Sequence, residues 1–286
     1  MSGDTPRTAL RAAAVQFRSS GDLGDNLTRI GKHLEALAAE GVRVAAFPEC
    51  AATSYAAAAV ERCTPQELAD AERALADMCR RIGIYAVVGI PYFEDGARYN
   101  GALVWDPVGR LIARYAKIQL AGEPWCAPGR RFTLFRIDGI VCCVIICHDE
   151  RYPELVRLPV LAGAQVVFYV SCESGMREET KLDPYRAQIQ ARAMENGVYV
   201  VHSNAPADIH ADGSVADRRS ASHGQSRIIA PDGNLISEAS FFQEERLVAD
   251  LDPARATRNL ARRSAESPLL KEWWETGLRL VPPAEG

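Results

Sequence analysis

The chain has 286 residues, of which 48% are hydrophobic and 24% charged, and its formal net charge is −4. That is the composition of a globular protein, long enough to bury a substantial core in one large domain or two small ones. The charge balance gives no electrostatic case for nucleic acid or an anionic membrane, and no apolar stretch is long enough to span a bilayer.

Residues 9–17, ALRAAAVQF, predict a first strand. Leu27, Ile30, Leu34 and Leu37 recur at helical spacing, predicting a helix over Asn26 to Glu40 that Gly41 stops. VRVAAFPE, 42–49, predicts a buried strand ending on Glu49, and strand, helix, strand with short links is a βαβ unit. A second helix is expected from Pro65 to Arg81, with Thr64 as N-cap. IYAVVGIPYF then predicts a strand, and ALVWDPVGRLIARYAK a hairpin that turns at Asp106 to Gly109 and ends on Lys117.

RFTLFRIDGIVCCVIIC predicts two more strands and delivers Cys147. The apolar run breaks there into His148, Asp149, Glu150 and Arg151, and Pro153 and Glu154 open a helix to Ala162. A cysteine where a buried strand gives way to a helix is held rigidly yet open to a pocket. Free cysteine is also among the most buried residue types, so core packing competes with catalysis on this stretch alone. AQVVFYVS predicts a strand, 184–195 a helix, VYVVHSNA a strand, SRIIAPDGNLISEA a second hairpin and ERLVADLD an edge strand. The two hairpins share a turn pattern that hints at internal duplication, although turn chemistry alone would produce it. No linker divides the chain, so residues 1–286 are expected to form one domain. The tail from Pro253 carries Trp273 and Trp274; it is expected to pack on another subunit, with folding back on its own chain as the competing reading.

The eight cysteines show no CxxC pair and the five histidines no HExxH or HxH pattern, so neither a disulfide framework nor a metal site is expected. No glycine-rich phosphate loop is present, and no cofactor is expected. The N-terminal MSGDTPRTALRAAA lacks a signal peptide's apolar core, so a cytoplasmic location is expected. Glu49, Lys117 and Cys147 each end a predicted strand. If those ends converge they supply a base, an oxyanion donor and a thiol nucleophile, whose active form is the thiolate; taken singly, Glu49 also reads as a helix-cap carboxylate and Lys117 as a solvated edge residue.

FPE ending one strand, YAK another and CHDERYPE a third resemble the nitrilase superfamily of carbon–nitrogen hydrolases, with its Glu-Lys-Cys triad. Tyr55 lies six residues beyond Glu49 as in the family's pattern, though Ser54 replaces the usual glycine. KIQLAGEPWCAPG resembles the lysine loop: Glu123 matches a second glutamate, while Cys126 and Gln119 depart from the usual phenylalanine and histidine. RAMENGVYVVHSN and GQSRIIAPDG match later blocks. The resemblance implies an α/β fold of the four-layer α-β-β-α sandwich type, a homodimer or larger homo-oligomer, and catalytic Glu49, Lys117, Cys147 and Glu123. It also implies substrate contacts at Tyr55, His148 (through its backbone) and Glu173, the last either meeting a cationic substrate group or facing water. Arg177 offers the opposite possibility, a carboxylate clamp. The expected reaction is hydrolysis of a small linear amide or N-carbamoyl compound through a thioester. Cys-His-Asp favours the amide branch over nitrilases. Acyl transfer, non-catalytic small-molecule binding and, on Cys142, Cys143 and Cys147, a redox sensor are the alternatives.

Overall fold

The computed structural model describes residues 9–173, 182–207 and 222–286. The first half contains β1 (Leu10–Gln16), α1 (Leu23–Ala39), β2 (Val44–Ala46), α2 (Ala57–Arg62), α3 (Pro65–Ile82), β3 (Tyr85–Gly89), β4 (Tyr92–Glu94), β5 (Ala97–Tyr99), β6 (Gly101–Trp105) and β7 (Leu111–Ala116). The second contains β8 (Leu134–Ile137), β9 (Ile140–Ile146), α4 (Glu154–Leu161), β10 (Val166–Ser171), α5 (Leu182–Asn196), β11 (Tyr199–Asn204), β12 (Arg227–Ile229), β13 (Leu235–Glu238), β14 (Glu245–Leu251), α6 (Asn259–Ala265) and α7 (Lys271–Leu278).

Among the described residues twelve strands form two six-stranded sheets, which run β14-β1-β2-β3-β6-β7 and β13-β12-β11-β10-β9-β8. Each has three parallel strands at its centre, a hairpin beyond the third and an antiparallel edge strand beside the first. The hairpin turns match bond for bond. Asp106 N–H donates to Arg110 O and Ala230 N–H to Asn234 O, both at 2.9 Å, and Gly109 and Gly233 sit at φ 79° and 84°. The likeness between the two halves thus extends from the turns to the sheet order.

Strand alternation sorts the core into three slabs. Ala12, Ala14, Val44 and Val104 face Cys142, Val144, Phe168 and Val201 between the sheets. Ala13, Val15 and Ala45 turn the other way, onto Ile30, Leu34 and Leu75 of α1 and α3. Cys143, Ile145 and Val167 turn onto Val156, Ile189 and Ala261 of α4, α5 and α6. The layers are therefore α-β-β-α, as expected. The α3 N-terminus is fixed by a reciprocal capping box between Thr64 and Glu67, with Pro65 in the first turn.

The predicted strand over IYAVVGIPYF is broken into β3 and β4, because Pro91 cannot donate to the ladder. The predicted strand 42–49 is regular only over Val44–Ala46, and after a last bond from Phe47 N–H, Pro48 has no donor to carry the ladder further. Part of the tail folds back on its own chain. Arg136 N–H donates to Glu285 O at 2.7 Å, the Arg157 guanidinium lies 5.8 Å from the Trp274 ring, and Gly277 abuts Leu158. Burying Trp274 against α4 removes apolar surface from water without a partner. Trp273 stays 51% exposed.

Candidate active site

Four chain breaks at one end of the two sheets bring the polar residues together. Beyond β2, Phe47 still donates its N–H to Val87 O at 2.8 Å, and the chain then turns through Cys50 at φ 53°. β7 runs directly into Lys117, β9 into Cys147 and β10 into Cys172 and Glu173. The first two supply one sheet's share of the site and the last two the other's. Hydrogen bonds cross between the sheets here: Cys172 N–H to Glu49 Oε2 at 3.0 Å, Tyr115 OH to Asp149 Oδ2 at 2.8 Å and Ser203 Oγ to Ala46 O at 2.8 Å.

Lys117 is fully buried and its Nζ lies 2.7 Å from Glu49 Oε1. It also donates to Glu123 Oε1, which accepts Tyr55 OH at 2.9 Å, while Glu123 Oε2 takes Ala121 N–H at 2.6 Å. Burial works against the ammonium, but Glu49, Cys147 and Glu123 together hold the Lys117 pKa well above its ordinary value. Burial works against the Glu123 carboxylate too, and Lys117 outweighs it, leaving Glu123 below its ordinary value. The Tyr55 ring meets the Trp125 ring edge-on at 6.4 Å and sits 5.8 Å from Lys117 Nζ.

Cys147 opens a 3-10 turn that spans Cys147–Arg151, at φ 44°. Few non-glycine residues adopt this left-handed conformation, and it lifts the side chain out of the strand's alternation. Burial, then the charge of Glu49, pushes the Cys147 thiol well above its ordinary range, against the pull of Lys117. The resting group is a thiol, within the electrostatic reach of both a carboxylate and an ammonium. Asp149 braces the turn: Oδ2 accepts Ile146 N–H at 3.1 Å and Oδ1 accepts Gln119 N–H at 2.7 Å. The His148 ring packs edge-on to Tyr152 at 5.8 Å, and burial lowers its pKa.

Ser54, in the place where glycine is usual in the resembled pattern, sits at φ 76°. That backbone conformation accounts for the glycine preference. Tyr55, Ser54, Cys172, Ser222, Pro206 and Arg18 border a cavity of about 150 Å³.

Glu173 does not face water, which corrects one of its two expected roles. It is 2% exposed, accepts a hydrogen bond from Tyr169 OH and lies 2.8 Å from His223 Nε2. Against the cost of burial, His223, His202 and Tyr169 hold it below the usual carboxylate range, while burial and then the charge of Glu173 push Glu150 well above its ordinary value. Glu173 Oε1 is held by Tyr169, and Glu173 Oε2 lies beside His223 Nε2. Arg177 lies outside the described residues. Glu49, Lys117, Glu123 and Tyr55 form one bonded chain, and Cys147 lies within electrostatic reach of Glu49 and Lys117. Asn100, the Cys172 N–H and Tyr169 also belong to this cluster, and no local sequence pattern marks them.

A family model described as carbon-nitrogen hydrolase matches residues 11–259. Omega-amidase NIT2-B of Xenopus laevis is 27% identical over 254 residues, covering 85% of this chain and 88% of that protein. Among solved structures, an amidase from Nesterenkonia sp. matches with a TM-score of 0.78 and 26% identity, over 96% of this chain and 100% of that one. A mutant of the Nesterenkonia sp. AN1 amidase showing covalent addition of the acetamide moiety of fluoroacetamide at the active site cysteine matches equally, at 0.78 and 26%, over 95% and 100%.

Proposed function

Because this chain belongs to the carbon–nitrogen hydrolase family, we propose that it hydrolyses a small linear amide through a thioester on Cys147. The observation that carries the reading is the buried chain Tyr55–Glu123–Lys117–Glu49 at the sheet ends, with the Cys147 thiol within electrostatic reach of Glu49 and Lys117. Glu49 takes the thiol proton as sulfur attacks the amide carbon. Lys117 and the backbone N–H of His148 stabilise the oxyanion. Glu49 returns the proton to the leaving ammonia or amine, and the same carboxylate then activates the water that cleaves the thioester. Glu123 keeps Lys117 aimed, and Tyr55 fixes Glu123 beside the cavity.

The relatives' names, omega-amidase and amidase, support amides over nitriles as substrates. A panel of primary amides, N-carbamoyl compounds and short nitriles, read by ammonia release, tests this. Amide turnover that vanishes in Cys147→Ala is expected. Retained turnover in that variant, or hydrolysis of nitriles alone, would remove the reading. A new amide product in the presence of added amine would mark acyl transfer instead.

A single domain spanning the chain, a cytoplasmic location and a homo-oligomer belong to the same proposal. No helix among the described residues is long and apolar enough to cross a membrane. Trp273, Leu269 and Leu280 leave large apolar side chains exposed on the tail, a surface suited to a second copy. Light scattering of Trp273→Lys should show a smaller assembly than the parent.

A further inference from the structure

The Glu49 oxygen that accepts Lys117 also accepts Asn100 Nδ2, each at 2.7 Å. Asn100 is wholly buried at the entry to β6, and its own carbonyl takes the N–H of Lys117 at 2.8 Å. One residue thus holds Glu49 by its side chain and Lys117 by its main chain. At the other end of the amide, Cys50 Sγ lies 3.7 Å from Asn100 Oδ1. The two ends of an amide have nearly the same outline, so the neighbours decide its orientation. Burial, then the charge of Glu49, pushes the Cys50 thiol well above its ordinary range, so it keeps its hydrogen. A thiol that donates claims Oδ1 and turns Nδ2 towards Glu49. Glu49 Oε1 therefore carries two donors and Oε2 one, the Cys172 N–H at 3.0 Å. A carboxylate oxygen with more donors is the weaker proton acceptor.

We propose that Asn100, oriented by Cys50, is a positioning residue for Glu49: it commits Oε1 to Lys117 and leaves Oε2 to take the proton of Cys147. This rests on Glu49 being the base. An N–H given to a carboxylate favours its ionised form, so removing the donor moves the acid limb of activity to higher pH.

The test compares Asn100→Ala, Cys50→Ala, Cys50→Ser and Glu49→Gln on an amide that the parent hydrolyses, with folding checked by circular dichroism. Asn100→Ala should lower kcat on the order of tenfold or more with KM changed less than about twofold. Its acid limb in kcat/KM should rise by about one pH unit. The pH dependence of Cys147 alkylation by iodoacetamide should move in the same direction with no substrate present. Cys50→Ser retains a donor and should keep the parent limb, whereas Cys50→Ala should shift it upward. A folded Asn100→Ala with the parent limb in both readouts overturns the proposal. If Asn100→Ala does not fold, identical limbs for Cys50→Ala and Cys50→Ser overturn it. Glu49→Gln separates the two levels. Turnover retained there removes Glu49 as the base, while an inactive Glu49→Gln beside a parent-like Asn100→Ala removes only the role of Asn100.

Discussion

Lys117 Nζ and Glu49 Oε1 stand 2.7 Å apart with neither side chain exposed to solvent. Glu123 sits on the other side of the same ammonium, so one cation serves two buried carboxylates. Such an arrangement costs desolvation and is held by geometry and by the donors around it, here Asn100, Tyr55 and two backbone N–H groups.

Lys117→Met removes that cation and leaves two carboxylates buried with reduced compensation. The expected loss is ~3–5 kcal/mol of stability, read by urea unfolding. Any folded fraction should be slower on amide by a factor on the order of 10²–10³. A variant as stable as the parent would mean that the carboxylates are neutral or solvated.

Asp149→Ala should act on the nucleophile's turn. It orphans the N–H groups of Ile146 and Gln119 and the hydroxyl of Tyr115. With roughly 1–3 kcal/mol for each buried donor left unmet, a loss of several kcal/mol is expected in chemical denaturation. Activity should fall with it, because the same carboxylate links Cys147's turn to the loop after Lys117.

Gly89→Ala places a methyl group where Pro48 O would be 2.1 Å away and Glu49 Cα 2.7 Å away. Both are backbone or backbone-attached atoms with little room to yield. We expect kcat to drop well beyond the ~1–3 kcal/mol overpacking cost to stability, because the displaced residue is Glu49 itself. Kinetics and thermal unfolding on one preparation separate the two effects.

Alkaline pH should weaken the fold. Burial pushes the thiols of Cys79 and Cys143 up to about 12 from an ordinary 9.0. As pH rises through the lower value the unfolded chain releases these protons first, so the folded state loses relative stability until it too ionises near 12. Between pH 9 and 10.5 each thiol contributes a loss on the order of 2 kcal/mol. Urea midpoints across that window should fall less steeply in the Cys79→Ala, Cys143→Ala double variant than in the parent.

Much was legible along the chain. The apolar runs before Glu49 and Cys147 read as buried strands and the segment before Lys117 as the second arm of a hairpin. Local patterns carry that information because alternation, capping and the missing N–H of proline act within a few residues. The alternation of strands and helices followed from the same periodicities, whereas the four-layer sandwich followed from the family resemblance, since alternation alone suits other α/β folds.

What the chain in isolation left open is decided by contacts between distant residues. Asn100 reaches Glu49 across 51 positions and Cys172 N–H reaches it across 123, and no local pattern announces either. Glu173 had two readings in sequence because a carboxylate after a strand can face out or in; only the positions of Tyr169, His202 and His223 turn it inward. Trp274 packs on its own α4 because the fold brings Arg157 and Leu158 under the returning tail. Composition and periodicity determine which segments bury, whereas the direction of a polar side chain depends on which partner the packed sheets set within bonding distance.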